Sequence, residues 1–138
     1  AKVVEASKDN PVFYVQYAHA RICSLKRKAA EAGITASGSE LGRLDAADLG
    51  LAKLAAQLPR LVESAALARE PHRIAFYLYD LAAAFHAYWN SGNDDPTRRM
   101  FQADAPEVTA ARLFLATAIG QVIANGLAIM GVTAAEEM

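Results

Sequence analysis

The sequence predicts an all-α fold, a helical bundle of about five main helices that forms one domain over residues 1–138. Apolar residues recur at steps of three and four in several segments, which is the spacing of one helix face. No segment alternates apolar and polar residues for long enough to indicate a sheet. The chain has 138 residues, of which 54% are hydrophobic, so it can bury one well-packed core.

The first helix is predicted to begin at Pro11 and to end close to Gly33. An asparagine, Asn10, followed by proline is typical of a helix start, because asparagine caps free N–H groups and proline suits the first helical position. Glycine is typical of the residue just beyond a helix end. One face of this helix is apolar and is expected to join the core; it carries Val15, Ala18, Ile22, Leu25 and Ala29.

The neighbouring face of the first helix combines aromatic rings and cations. It carries Tyr14, Tyr17, Arg21, Ser24 and Lys28 at the same steps. Single-stranded nucleic acid is bound by this combination, because bases stack on aromatic rings while Arg and Lys neutralise phosphates. The stretch from Arg21 to Lys28 holds four cations and no anion. A solvated helix face or the edge of a core would carry similar residues without a ligand, and these interpretations stay open here.

Residues 34–44 are predicted to form a loop, and two short helices follow it. Asp45 is expected to cap the first of them, and Pro59 is expected to begin the second. Apolar contacts are expected from Leu49, Leu51, Leu54 and Leu58 in the first helix, and from Leu61, Val62, Ala65 and Ala68 in the second.

Two longer helices complete the predicted bundle. The first opens at Pro71 and precedes a turn-rich break over residues 90–95. Its buried face is expected to carry Ile74, Leu78, Leu81, Phe85 and Tyr88. The last helix is predicted to begin with a capping box, in which Asp104 is the cap and Glu107 follows three residues later, and to stop near Gly131. It is apolar on more than one side and is expected to run through the centre, with Val108, Ala111, Leu115, Ala118, Ile119, Val122 and Ile123.

Charge and composition exclude several functional classes. A net charge of −1 gives no global attraction for a polyanion, so any nucleic-acid surface must be local. Cys23 is the only cysteine, which excludes an internal disulfide and a thiolate metal site, and we expect a buried, inert thiol. No apolar run approaches the ~20 residues of a membrane span, and the N-terminus has no signal-peptide layout. We therefore expect a soluble chain with no membrane partner.

No catalytic or metal-binding constellation is visible in the sequence. The three histidines, His19, His72 and His86, do not stand at metal-ligand spacing. A glycine-rich phosphate loop, a nucleophile elbow and a Glu-x-x-His pair are all absent from the sequence. The adjacent Asp94 and Asp95 are predicted to be turn residues. We expect no metal and no cofactor in this chain, and no catalysis by the chain alone.

Three parts of the chain resemble the C-terminal tRNA-binding domain of arginyl-tRNA synthetases. The first is Asn-Pro-Val-Phe-Tyr-Val-Gln-Tyr-Ala-His-Ala-Arg at residues 10–21. The second is Glu-Pro-His-Arg-Ile-Ala-Phe-Tyr-Leu-Tyr-Asp-Leu-Ala at 70–82, continued by Ala-Phe-His-Ala-Tyr at 84–88. The third is Asn-Gly-Leu-Ala-Ile-Met-Gly-Val at 125–132, with a final methionine. The resemblance covers nearly the whole chain and is weakest over residues 33–58.

The resemblance implies a set of RNA-binding residues on the first helix. In the family, the positions that match Tyr14, Tyr17 and Arg21 line the pocket that holds the anticodon loop. Tyr17 would stack on a base and Arg21 would contact a phosphate or a base edge. Lys28, on the same face, is included in the predicted site. His19 is expected to make a structural hydrogen bond.

Three further residues are predicted to face the anticodon loop. Tyr88 and Trp89 end the fourth helix, and the resemblance places this helix end at the anticodon loop. The alternative for Trp89 is a ring that closes the end of the bundle. Met138 matches the final methionine of the family, which packs beside the tyrosine pair. Ala135 stands where the family frequently has proline.

The function implied by the resemblance is recognition of the tRNA(Arg) anticodon loop, whose middle cytosine is the expected target. The parent enzyme would ligate arginine to its tRNA with ATP and Mg²⁺, in the cytoplasm. The catalytic domain of the same polypeptide would then be a partner of this chain, and DNA would not be one. The alternatives are the related helical tail of a glycyl-tRNA synthetase β subunit and a helical protein–protein interaction module. Binding that weakens steeply with salt would separate RNA from an apolar protein interface.

Overall fold

The structure, a computed structural model, describes residues 10–138, and it is all-α in this part of the chain, as predicted. The α-helices are α1 (Pro11–Glu31), α2 (Ala46–Ala55), α3 (Leu58–Ala68), α4 (His72–Asp94) and α5 (Pro106–Ile129). Two short 3-10 helices lie at Gly38–Arg43 and Pro96–Arg98. The N-terminal layout considered for a signal peptide falls on residues 1–9, outside the described residues.

Helix α5 lies at the centre of the bundle, as its apolar sequence predicts. It packs against α1, α2 and α4, and Ile119 in its middle is fully buried. Two glycines let α5 approach its neighbours closely. A Cβ atom on Gly126 would lie 2.6 Å from a methyl carbon of Leu78 in α4, and one on Gly120 would lie 3.1 Å from Ile22 in α1. The predicted apolar faces of α1 and α4 are both buried in the core.

Several helix ends follow from local sequence and are confirmed. The Asn10 side chain accepts a hydrogen bond from the Val12 N–H at 3.0 Å, and α1 ends just before Gly33, which has a φ of +72°. Asp45 caps α2 as predicted. It forms a reciprocal capping box with Asp48, which the sequence interpretation had not identified.

Helix α4 continues through the predicted break at residues 90–95 and ends at Asp94. The turn-forming residues there are overridden by a tertiary contact. Arg99 packs on Gly92 so closely that a Cβ on the glycine would lie 2.8 Å from the arginine Cγ. The Arg99 Nε also donates to the Gly92 carbonyl at 2.8 Å. Gly92 therefore permits a close packing contact within a helix and does not end the helix. A second difference lies in the predicted loop at 34–44, which contains the 3-10 helix Gly38–Arg43.

The start of α5 differs from the predicted capping box. Ala105 is the N-cap residue, and no side chain caps the helix there. The fully buried Thr109 organises this segment instead: its Oγ1 accepts from the Gln102 N–H at 2.8 Å and lies 2.9 Å from the Gln102 carbonyl. This hydroxyl ties the preceding loop to the helix, so the segment does not need a cap from Asp104.

Some residues expected in the core are exposed. Leu49 is 48% exposed, and Ala68 and Ala118 are also exposed. By length and composition alone α5 would suffice to cross a membrane, which the sequence interpretation did not anticipate. Half of its most apolar stretch is buried inside the fold, which is typical of a core helix. It also carries Arg112, which is 3% exposed and pairs with Asp48 at 3.3 Å.

Candidate nucleic-acid interface

The polar face of α1 meets α4 along a row of aromatic contacts. Tyr14 lies 5.0 Å from Tyr79 between ring centroids, and the Arg21 guanidinium carbon lies 5.3 Å from the ring centroid of Trp89. The later residue of α1, Arg21, contacts the later residue of α4, Trp89, so the two helices run in the same direction here. The apolar stripe of α1 is buried on an adjoining face, which leaves this row at the surface edge of the bundle.

His86 of α4 lies at the centre of this row and is 6% exposed. Its Nδ1 is 3.2 Å from the Arg21 Nη1, and its Nε2 is 3.2 Å from the Tyr14 carbonyl oxygen. A guanidinium only donates and a carbonyl only accepts, so Nδ1 accepts and Nε2–H donates. His86 is therefore a neutral imidazole with one defined tautomer. Burial lowers its pKa below 6.5, the Arg21 charge adds to this, and the hydrogen bond to Tyr14 opposes it.

The two tyrosines of α1 pack on this imidazole. Tyr17 stacks on His86 with ring centroids 5.3 Å apart and planes at 25°, and Tyr14 lies 4.7 Å from the same ring. Tyr14 is half-buried, and burial raises its pKa, with Tyr79 adding to the rise and Arg21 opposing it. Tyr17 is 37% exposed. It is therefore the ring of this pair that is more accessible to a ligand.

Arg21 connects the tyrosines to Trp89. Its guanidinium carbon lies 4.6 Å from the Tyr17 ring centroid as well as near the half-buried Trp89. Contacts of this kind favour the cation and hold it in place. Together with the hydrogen bond to His86, they hold the guanidinium beside the Tyr17 ring.

The predicted run of four cations divides between two sides of α1. Arg21 lies in the aromatic row, and Lys28, two turns later, lies with its Nζ 4.5 Å from the Phe101 ring centroid. Lys26 lines a different cavity, and Arg27 reaches the Glu136 backbone oxygen at 3.5 Å. Only two cations of the run therefore lie on the aromatic side.

Tyr88 differs from its predicted role. It is 7% exposed, and its hydroxyl donates to the carboxylate of the fully buried Asp48. Burial raises its pKa well above 10.0, and the hydrogen bond to Asp48 adds to the rise. The ring is almost fully enclosed in the fold, which leaves little of its surface for a base to stack on. Adjacent side chains of a helix point in different directions, and of Tyr88 and Trp89 only Trp89 contacts Arg21 of α1.

The predicted position of Met138 beside the tyrosines stays a prediction, and the contacts of the tail that precedes it lie elsewhere on α1. The C-terminal tail follows another face of α1, where Gln16 donates to the Thr133 carbonyl at 2.8 Å. Farther along α1 the tail meets Arg27. This path leads away from Tyr17 towards the end of the helix, and Met138 is 57% exposed.

The same tail explains the environment of His19. Its Nδ1 lies 2.7 Å from the Ala135 carbonyl, which confirms the predicted structural hydrogen bond. The Cys23 Sγ lies 3.7 Å from that nitrogen. Cys23 is half-buried, contrary to the predicted full burial, because it faces the tail and not the core.

His86, Tyr79 and Phe101 were not identified as site residues in the sequence. A signal existed for two of them, because Tyr79 and His86 are seven residues apart, on one face of α4 beside its apolar stripe. No comparable signal marked Phe101, which follows α4 in a loop and reaches Lys28 only through the fold. Among residues 10–138, no group of three or more His, Cys, Asp and Glu side chains could hold a metal ion.

These groups are suited to binding a planar, anionic ligand. The aromatic row offers a π-face for stacking and a positioned guanidinium for phosphate or base edges. Its one buried titratable group, His86, is engaged on both nitrogens.

The chain is similar to known proteins over nearly its whole length. Residues 15–138 match the family model described as "DALR anticodon binding domain". The arginine–tRNA ligase of Novosphingobium aromaticivorans is 63% identical over 138 residues, which are 100% of this chain and 24% of that protein. The arginine–tRNA ligase of Jannaschia sp. is 54% identical, over 99% of this chain and 24% of that protein. The chain thus spans about a quarter of the length of these relatives.

A solved structure has the same fold. The arginyl-tRNA synthetase of Thermus thermophilus superposes with a TM-score of 0.77 at 32% identity. The match covers 96% of this chain and 22% of that one.

Proposed function

This chain belongs to the DALR anticodon-binding domain family, and we propose that it recognises the anticodon loop of tRNA(Arg) as part of an arginyl-tRNA synthetase. The observation that supports this most is the arrangement around His86. Tyr17 offers a stacking ring, and Arg21 is held beside it by a hydrogen bond and two aromatic contacts.

The binding mechanism follows from this arrangement. An unpaired base of the loop stacks on the exposed side of Tyr17, and Arg21 donates to its edge or to the adjoining phosphate. Because His86 and Trp89 already hold the guanidinium, little side-chain entropy is lost on binding. The middle cytosine shared by most arginine anticodons is the base assigned to this position.

The remaining activity belongs to the longer protein. We assign arginine ligation, with its use of ATP and Mg²⁺, to the part of the polypeptide that this chain does not span. Anticodon contacts made here would hold the tRNA so that its far end reaches that catalytic part. A cytoplasmic location follows from such a role in translation. The named relatives favour the arginyl enzyme over the glycyl alternative.

The test is binding of this chain to an RNA hairpin with the anticodon stem and loop of tRNA(Arg). Tyr17→Ala should weaken binding by about 1–3 kcal/mol, roughly ten- to hundredfold, because one base–aromatic stack is lost. Phe114→Ala is the matched control, since this aromatic ring on α5 is 43% exposed and lies outside the row. It should leave the affinity unchanged.

Changing the middle anticodon base should remove most of the effect of Tyr17→Ala, because both changes delete parts of one interaction. Equal affinity of the parent and Tyr17→Ala chains, at equal melting temperatures, would contradict the proposal. If the chain does not bind the hairpin but binds a protein with an affinity that does not change with salt, the protein-interaction module is favoured.

A further inference from the structure

His86 is the member of the aromatic row that is least accessible to a ligand. It is 6% exposed, and the rings of Tyr14 and Tyr17 pack against it from α1. A base that stacks on the outer side of Tyr17 is therefore separated from the imidazole by the tyrosine ring. An effect of His86 on RNA binding has to pass through one of its neighbours.

The two ring nitrogens of His86 make bonds of different kinds. Nε2–H donates to the Tyr14 carbonyl oxygen at 3.2 Å, which joins a side chain of α4 to the backbone of α1. Nδ1 accepts from the Arg21 Nη1, also at 3.2 Å. The first bond contributes to the packing of two helices. The second holds a side chain that is assigned to the RNA.

The bond from Arg21 to Nδ1 is the directional contact of the guanidinium. Its other contacts are with the rings of Tyr17 and Trp89, whose centroids lie 4.6 and 5.3 Å from the guanidinium carbon. A cation over a ring is attracted to the whole face, whereas a hydrogen bond orients one N–H group. Without the acceptor on Nδ1, Arg21 would keep its attraction to the rings and lose its orientation.

We propose that His86 is a positioning residue for RNA recognition, and that the lone pair on its Nδ1 sets the affinity by orienting Arg21. The inference rests on the proposed function, because it needs Arg21 to contact the RNA. Protonation converts Nδ1 from an acceptor into a donor, so that it repels the guanidinium. It leaves the Nε2–H donor unchanged. RNA affinity should therefore fall in mild acid while the bond between the two helices remains.

The surroundings of His86 favour the uncharged ring at neutral pH. Tyr14, Tyr17 and Arg21 face it from α1, and Phe85 of its own helix lies 5.9 Å away between ring centroids. Arg21 is the only charged side chain in this set. Burial and the Arg21 charge both lower the pKa of His86, and the hydrogen bond to the Tyr14 carbonyl opposes them. The lone pair on Nδ1 is therefore available at neutral pH.

Two amide substitutions separate the roles of the two nitrogens. The carbonyl oxygen of asparagine is as many bonds from Cβ as Nδ1 is, so His86→Asn retains an acceptor for Arg21. The amide nitrogen of glutamine corresponds in the same way to Nε2, so His86→Gln retains a donor for the Tyr14 carbonyl. Both variants lack the ring beneath Tyr17, and each is the control for the other. At neutral pH His86→Gln should bind the anticodon hairpin about tenfold more weakly than His86→Asn.

The pH profile of hairpin affinity is a readout that a structural role would not change. Between neutral pH and about pH 5, the affinity of the parent chain should fall towards that of His86→Gln, and neither amide variant should respond. Arg21→Gln removes the side chain through which His86 acts. In this background the parent residue and both amides should give equal affinities that do not vary with pH. Circular dichroism at each pH checks that every chain is folded.

Equal affinities of His86→Asn and His86→Gln at neutral pH overturn the inference, and so does a parent affinity that is constant over this pH range. A pH dependence that persists in Arg21→Gln also overturns it, because His86 would then act by another route. If Tyr17→Ala weakens binding in any of these cases, the proposed function stands without the role of His86. If the parent chain does not bind the hairpin, both are overturned.

Discussion

His86 arranges three side chains of a neighbouring helix through a single neutral ring. It accepts from Arg21, donates to the Tyr14 carbonyl and packs beneath Tyr17. A proton on Nδ1 would remove the acceptor for Arg21 and place a second positive charge against the guanidinium. The α1 groups that act on His86 are Tyr14 and Arg21, and neither is a carboxylate that would offset this charge. The arrangement therefore depends on an uncharged imidazole.

The domain should become less stable as the pH falls below neutral, because His86 then takes up a proton. Its folded-state pKa lies below 6.5, so the unfolded chain binds the proton more readily. This contribution is fully present above 6.5 and is lost as the pH falls from there towards the folded-state pKa. The melting temperature of His86→Gln should change less than that of the parent between neutral pH and about pH 5. His72→Gln, at an exposed position, is the control; if all three chains respond alike, His86 does not contribute.

Asp48 is a buried carboxylate that depends on one cation. Arg112→Met should destabilise the domain by about 3–5 kcal/mol in urea unfolding, because it leaves this buried charge without its partner. Adding Asp48→Asn to Arg112→Met should recover part of the loss, since the uncompensated charge is removed. A double variant that is less stable than Arg112→Met would contradict this explanation.

Asp45 contributes to the pH dependence of stability at the acid end. Its pKa is lowered below 3.8, mainly because its carboxylate accepts a hydrogen bond from the Asp48 N–H. The ionised carboxylate therefore adds stability above pH 3.8, and this contribution is lost only in stronger acid.

At the scale of elements, features written into adjacent residues were predictable. The cap, proline and two faces of α1 lie in consecutive sequence, so that helix and its polar face could be read directly. The end of α4 depends on Gly92 touching Arg99, and the start of α5 depends on Thr109 bonding to Gln102. These contacts exist only after the chain has folded. For His86 the sequence held a partial signal, its spacing of seven residues from Tyr79, but its bonds to Arg21 and Tyr14 are set by the packing of α1 on α4.

Two glycine substitutions in helices should have opposite effects. Gly126→Ala should destabilise the domain by about 1–3 kcal/mol, because its Cβ would meet the buried Leu78 side chain at 2.6 Å. Gly50→Ala in α2 should stabilise it by about 0.5–1 kcal/mol, because nothing lies within 4 Å and alanine favours the helix. Thermal unfolding of both variants measures the difference. A stabilising Gly126→Ala would mean that α4 and α5 can separate without cost.

For the whole molecule, a net charge of −1 means that binding to RNA must come from a local surface. The fold confines the cations of α1 that lie beside aromatic rings to Arg21 and Lys28, because Arg27 contacts the C-terminal tail instead. The salt dependence of binding should therefore be assignable to individual side chains of this surface.

Arg21→Gln should therefore change the salt dependence of hairpin binding by a countable amount. Each phosphate contact on single-stranded RNA contributes about 0.7 to the slope of log affinity against log salt, because one condensed counterion is released. Loss of the Arg21 contact should lower the slope by about that value, besides weakening binding. Arg60→Gln, which removes an exposed cation from α3, is the control and should leave the slope unchanged. If both variants lower the slope equally, RNA responds to the overall charge of the domain and not to this face. If Arg21→Gln weakens binding at an unchanged slope, its guanidinium contacts a base edge and the phosphate is neutralised elsewhere.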